Sequence, residues 1–299
     1  MPNYVMNAKE WGMLVLISFT WGLSFFFIEI GLRELEPFTL VFYRISIATL
    51  IAIVWLYASG RRLPIDRLSW KKFFILGAMN NLIPFSLISW GQVYIDSGLA
   101  SILNATTPLF SVVIAHFLTR DEHMTRYRVV GVLLGIVGVS LLVGPEAIYG
   151  LSANALGQFA ILGAALSYAC GGIYTRHLKD MPLLVAMTGT LIAASVLTFP
   201  LAVIYEFPLR TDMQLTTLGA LLGMSVFGTA FAYMLYFYVI RRVGATNALL
   251  VTFLVPVTAL MMGVMILGES LSQHALLGMF VIFAGLLAVD GRLIRKFRK

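Results

Sequence analysis

The chain has 299 residues, of which 60% are hydrophobic and 12% charged, about half the charge share of an ordinary soluble domain. That composition excludes a soluble globular protein, and the lone Cys170 excludes an intramolecular disulfide. A net charge of +7 could serve nucleic acid, but its placement between apolar runs points to membrane topology instead, so no nucleic-acid partner is expected.

Ten apolar runs, most near the roughly 20 residues that span a bilayer as a helix, predict an all-α membrane protein with ten transmembrane helices. The first, 11–32, is too long for a signal-peptide core and lacks a small-residue cleavage site, so it reads as a membrane helix. It contains Trp21 near its centre and Glu29 near its end. The second, 37–58, carries Arg44 at a similar depth across a short hairpin. These are the two charged residues well inside runs, and an ion pair between them is expected, with proton coupling through Glu29 the rival reading.

The third run, 72–95, contains "AMNNLIPFSLISWGQVY". It has too many amides and hydroxyls for a helix facing lipid, so they bond to other helices or line a cavity. Asn80, Asn81 and Ser86 are the candidates for substrate contact. The fourth, 98–119, begins after the tight turn Asp96-Ser97 and holds "NATTPLF". Asn104-Ala105-Thr106 matches a glycosylation acceptor, but it lies within an apolar helix, out of reach of a transferase. Pro108 removes a backbone donor and frees a carbonyl near position 104. Asn104, Thr107 and Pro108 therefore form either a kink closed by threonine or a bend bordering a pore, and the two are compatible.

The fifth to tenth runs are 127–146, 154–177, 182–205, 215–240, 244–267 and 273–291. Tyr168 sits near the centre of the sixth. The eighth offers Tyr233 and Tyr236, suited to a cavity for an apolar or aromatic group, while Tyr238 fits the interfacial belt. Pro256 bends the ninth. Gly131-x3-Gly135 and Gly219-x3-Gly223 are taken as packing. Glu122 and Glu269 lie at membrane edges, where each would cap the helix that follows it. His116, His123, His177 and His274 share no metal-ligand spacing, and neither a metal nor a cofactor is expected.

Eighteen of the 21 Lys and Arg residues fall on the side of the N-terminus, two on the other, and Arg44 within a run. The bias places both termini in the cytoplasm. It also makes the C-terminal "RLIRKFRK" the ordinary anchor of a last helix.

The chain also repeats itself. At an offset of 147, Glu122 meets Glu269, Thr125 meets Ser272, Gly131 meets Gly278 and Gly138 meets Gly285; at 148, Pro108 meets Pro256. "SFTWG" (18–22) lies over "ALSYA" (165–169), which matches Trp21 to Tyr168. Two five-helix units follow, 1–149 and 150–299. Because five is odd, the second enters the membrane from the opposite side, the inverted-repeat plan of many secondary transporters.

On these features (Pro108 and Pro256, the Gly268-Glu269 turn, the glycines after it and the 5 + 5 layout) the chain resembles the ten-helix EamA-type branch of the drug/metabolite transporter superfamily. The first half has Asp121-Glu122 where the second has Gly-Glu. The resemblance implies export of small metabolites, often amino acids. It also implies a cavity lined by the third, fourth, eighth and ninth helices with parts of the first and sixth. A centre rich in Asn, Ser, Thr and Tyr suits a zwitterion, and the aromatics favour aromatic or large neutral amino acids. A phosphorylated-metabolite exchanger needs several intramembrane cations, whereas only Arg44 qualifies; a proton-coupled drug or cation exporter would depend on Glu29. Catalytic motifs such as His-Glu-x-x-His or Gly-x-Ser-x-Gly are missing, so no enzyme is expected. The expected partners are a small-molecule substrate and the lipid bilayer, with the protein a monomer or weak homo-oligomer.

Overall fold

The computed structural model describes residues 8–119, 124–143, 152–243 and 251–290. Glu122, His123 and the basic run 292–299 lie outside them. The described residues are helical and contain no strand. The helices are α1 Ala8–Gly31, α2 Pro37–Ala58, α3 Arg67–Gln92, α4 Ser97–Leu118, α5 Arg126–Val143, α6 Ala153–Leu178 and α7 Leu183–Glu206. Helix α8 begins at Leu215 and ends at Val243, α9 runs from Val251 to Leu267, and α10 is Gln273–Asp290. Helices α1 to α8 include the eight stretches long and apolar enough to cross a membrane; the apolar parts of α9 and α10, Leu254–Leu267 and Gln273–Val289, are shorter.

The ends follow local chemistry. Helix α3 starts five residues before the apolar run because Asp66 accepts from the Ser69 amide at 2.8 Å and so caps it. Ser152 caps α6, accepting from the Ala155 amide at 3.2 Å, and Thr125 and Ser272 cap α5 and α10 through the amides of Arg128 and Ala275. Pro37 opens α2 at a position where its missing N–H loses nothing. Gly268 closes α9 with φ of 74°, a left-handed cap that glycine adopts without strain.

Helix α2 packs on α7, α1 on α9 and on α8, α3 on α6 and α7, and α4 on α6. Helices α5 and α10 pair closely through backbone contact. A Cβ on Gly131 would stand 2.5 Å from the Gly285 carbonyl, and one on Gly138 2.9 Å from that of Gly278. Small residues let helices approach this way where no hydrophobic effect draws them together. Of the two glycine spacings, Gly131-x3-Gly135 is used at both positions, with Gly135 packing on Leu109, and Gly219-x3-Gly223 at one, with Gly223 packing on Phe27 while Gly219 faces open space. Large apolar side chains such as Leu50, Val54, Leu133 and Phe280 stand on the outside of the bundle, as lipid contact requires.

Five helices are irregular over the described residues, and the 3₁₀ turn Thr175–Leu178 that ends α6 is the mildest case. Helix α3 passes through a π-helical turn at Ala78–Leu82 and α8 through one at Val226–Phe231. These turns begin 148 residues apart, the interval between Pro108 and Pro256. A third π-turn, Gly263–Leu267, ends α9. Helix α4 is interrupted at Ala105–Thr106. Below, the end of the bundle where α1 starts is the near end, and the end where it stops is the far end.

Candidate functional site

The middles of α3 and α8 meet across the bundle. Asn81, in the first π-turn, is fully buried, and its Oδ1 accepts from the Tyr233 hydroxyl at 3.2 Å. Thr229, in the second π-turn, is fully buried as well. Its hydroxyl accepts from Arg44 Nε at 3.0 Å and donates to the Met224 carbonyl at 3.0 Å. A π-turn inserts one residue and frees a carbonyl from the regular ladder, which is why such turns gather at functional sites. Here a further carbonyl in the α3 π-turn, that of Met79, accepts from Ser167 on α6 at 2.7 Å.

Arg44 reaches this cluster from α2. The guanidinium carbon lies 4.0 Å from the centre of the Phe85 ring, a cation–π arrangement that partly compensates a buried charge. Phe85 also meets Tyr168 of α6, with ring centres 6.5 Å apart. The phenols of Tyr168 and Tyr233 stand within electrostatic range of the guanidinium. The group thus draws on α2, α3, α6 and α8; Arg44, Asn81, Phe85 and Thr229 are buried, and Tyr168 and Tyr233 are partly buried.

The expected Glu29–Arg44 ion pair is not formed. Arg44 turns to Thr229 and Phe85, whereas Glu29 lies beside Gln92 with Glu269, Asp96 and Arg33 as its charged neighbours. Equal depth along a hairpin was the basis for pairing them, but the two side chains leave their helices in different directions. One oxygen of Glu29, Oε2, is buried without a partner.

The other candidates divide. Trp21 meets Tyr236 with ring centres 5.0 Å apart and the planes tilted by 52°, in an apolar patch with Leu14, Ile17, Val239 and Val251. Asn80 rests its side-chain carbonyl against Gly171 of α6, at a helix contact rather than beside Asn81 and Tyr233. Ser86 is buried and its hydroxyl has no partner, as is true of Ser89 one turn on. At the break in α4, Thr107 donates to the Asn104 carbonyl at 2.7 Å and Thr106 to that of Leu103 at 2.6 Å, so threonine closes the kink beside Pro108. Asn104 Oδ1 stays buried and unpartnered. Pro256, by contrast, lies within continuous helix.

Glu269 has a role different from the one expected. Ser272 caps α10, and Glu269 instead accepts from the Ser97 amide at 2.9 Å, the Ser97 hydroxyl at 2.6 Å and the Gly98 amide at 3.0 Å. It caps α4, far away in sequence, where a carboxylate meets the positive end of the helix. Two more carboxylates at the far end act alike. Glu206 accepts from the Phe38 and Thr39 amides at the start of α2, at 2.9 and 2.6 Å. Glu34 accepts from the Gln214 amide before α8 at 3.0 Å; bonds from Thr217 and Gln214 hold its carboxyl below the usual range. Asp96 is pushed up, first by burial and then by Glu269. Each cap links residues on opposite sides of position 150.

Phe85 and Thr229 were not singled out from sequence, although a signal existed. Thr229 lies 148 residues after Asn81 and Tyr233 the same distance after Phe85, the interval that relates the two prolines.

These features define a class: a polytopic helical membrane protein with a polar cluster between helices from both parts of the chain. The comparisons with known proteins narrow it. The EamA-like transporter family matches twice, over residues 10–144 and 155–289, and the chain belongs to that family, within the drug/metabolite transporter superfamily. It is 25% identical over 277 residues to the uncharacterized transporter YoaV of Bacillus subtilis, covering 92% of this chain and 94% of that one. It is 27% identical over 289 residues to the chloroplastic WAT1-related protein At3g02690 of Arabidopsis thaliana, covering 94% and 69%. To the uncharacterized inner membrane transporter YedA of Escherichia coli K12 it is 25% identical over 283 residues, covering 94% and 90%. A crystal structure with 19% identity superposes over 94% of this chain and 98% of its own with a TM-score of 0.66, which supports the fold.

Proposed function

We propose that this protein is a secondary transporter exporting small neutral metabolites, with aromatic or large neutral amino acids favoured, by alternating access. The observation that carries the reading is the polar cluster of Asn81, Tyr233, Thr229 and Arg44 between α2, α3 and α8. It is rich in hydrogen-bonding groups and lined by aromatic rings, which suits a zwitterion with a large side chain. Buried polar groups of this density, in helices otherwise facing lipid, are retained where they serve a substrate path.

In this reading ten helices span the membrane as two inverted units, 1–149 and 150–299, with the near end and both termini cytoplasmic in a plasma or inner membrane. The packing supports the inversion. The α1–α9 pairing has its counterpart in α6–α4, and the α3–α6 pairing in α8–α1. The paired π-turns at one interval of 148 residues agree with it. Helices α1, α3, α4, α6, α8 and α9 would rock around the cluster, with α5 and α10 as the scaffold. The three cross-half carboxylate caps hold the far end shut, so each transport cycle must break and remake them.

The test is counterflow in proteoliposomes preloaded with one unlabelled amino acid, with trace labelled tryptophan, threonine or methionine outside and no pH gradient. Transient accumulation of one label is expected. If no amino acid accumulates while the protein is folded, the amino-acid reading is lost. The second reading, a proton-coupled drug or cation exporter, then leads, favoured by the partnerless Glu29 oxygen near Glu269 and Asp96.

A further inference from the structure

We propose that Arg44 is the carboxylate anchor of the transport site: its guanidinium receives the substrate's carboxylate, which makes the protein selective for monocarboxylates. The inference rests on the transporter reading above and deepens it by naming the chemical group that the site recognises.

Arg44 is buried and belongs to a helix that faces lipid over much of its length. An arginine keeps its charge at any accessible pH, so the protein holds a full positive charge inside the bundle. Such a charge ordinarily has a carboxylate beside it. Among the described residues no Asp or Glu lies within ion-pair distance of Arg44, and Glu29, the natural partner by sequence, sits in another cluster.

The compensation present is one hydrogen bond, from Nε to Thr229, and one ring face, Phe85. Both are neutral. They fix the guanidinium plane and leave the edge with the two terminal nitrogens without a hydrogen-bond partner among the described residues. That edge is the one a carboxylate engages through two parallel bonds. Asn81 Nδ2 is a second buried donor without a partner, and Ser86, next to Phe85 on α3, has a third unpartnered group in its hydroxyl. One cation suits a monoanion; a phosphate dianion would stay half neutralised. The rings of Phe85, Tyr168 and Tyr233 then offer apolar surface to the rest of the molecule.

The experiment compares acids with their uncharged-carboxyl counterparts. Purified protein in detergent is titrated with L-tryptophan against L-tryptophanamide, L-leucine against L-leucinamide, and indole-3-acetate against indole-3-acetamide, with thermal stabilisation as the readout. The same ligands then compete in counterflow. For the wild type, at least one acid should bind roughly tenfold or more tightly than its amide, the scale of a hydrogen-bonded charge pair. Arg44→Gln should abolish that preference, and Arg44→Lys should retain part of it. The comparison on the wild type needs no variant, so it stands even if Arg44→Gln fails to fold. Equal binding of acid and amide overturns the anchor while leaving amino-acid transport intact. Binding of indole-3-acetate without either amino acid keeps the anchor and removes the amino-acid reading. If no acid binds, or if Arg44→Gln folds and keeps the preference, the anchor is overturned.

Discussion

Two charged side chains brought in among the helices, Glu269 and Arg44, are treated in opposite ways. Glu269 receives three donors from Ser97 and Gly98, all within 3.0 Å. Its charge is matched by a helix start, and the lone pairs that face the protein are used. Arg44 receives one acceptor and one ring. A group whose bonding is completed by the protein holds structure together; one left incomplete inside a low-dielectric interior is available to something that arrives. The contrast also separates the carboxylate caps of the far end from the middle of the molecule, although Glu29 Oε2 and Gln92 Oε1, near those caps, lack partners as well. At the far end, polar groups of one part of the chain close on helix starts of the other. In the middle, Asn81, Ser86 and Ser89 each keep an unpartnered polar atom.

The contrast can be broken most sharply at Glu269. Glu269→Ala removes the acceptor for three bonds and leaves the first amides of α4 exposed to a dry contact. We expect a loss of about 3 kcal/mol, read as a lower melting temperature in detergent, with Glu269→Gln losing less. An unchanged melting temperature would show that the cap is not structural.

Gly131→Leu should come next. A Cβ there already meets the Gly285 carbonyl at 2.5 Å, so the α5–α10 pair must separate, at a loss of about 2 kcal/mol. Gly219→Leu is the matched control, since nothing lies near that glycine, and its melting temperature should stay at the wild-type value.

Tyr233→Phe probes the middle. It leaves Asn81 Oδ1 without the bond at 3.2 Å and should lower stability by about 1 kcal/mol. Counterflow should slow by more than that change in folding explains. Equal, small effects on both would make the bond a helix contact only.

The smallest effect belongs to Asp96. Its carboxyl is raised above 3.8 by burial and by Glu269, so the folded state binds its proton more readily than the unfolded chain does. That contribution is fully present below the unfolded value and is lost as pH rises through the folded one. Asp96→Asn should therefore raise the melting temperature slightly at neutral pH, and the gain should vanish at acid pH. A gain independent of pH would remove the electrostatic explanation.

The sequence was readable where the physics is local. Apolar runs located the helices within a few residues, and Pro108 with the threonines before it marked the break in α4. Gly131-x3-Gly135 marked a close helix approach, without saying that the partner is α10. What it hid was long-range or subtle. Nothing in composition tells an α-turn from a π-turn, because the difference is one inserted residue, yet those turns hold Asn81 and Thr229. The cap of Glu269 on Ser97 joins positions 172 apart, and local pattern favoured the nearer helix start. Arg44 was read by depth alone, and depth does not give the direction in which a side chain leaves its helix. Tyr233 was found through its residue type; Phe85 and Thr229 required the internal offset to be applied position by position.

In the proposed cycle, substrate occupies the cluster between α3 and α8. The most direct measurement is protection of a thiol placed there, with Ser86→Cys in a Cys170→Ser background reconstituted in liposomes. The rate of alkylation by N-ethylmaleimide would be followed with and without the amino acid that gives counterflow. Saturating substrate should slow alkylation several-fold, while an amino acid that gives no counterflow should leave it unchanged. Alkylation at the same rate with and without the transported amino acid would place the substrate elsewhere.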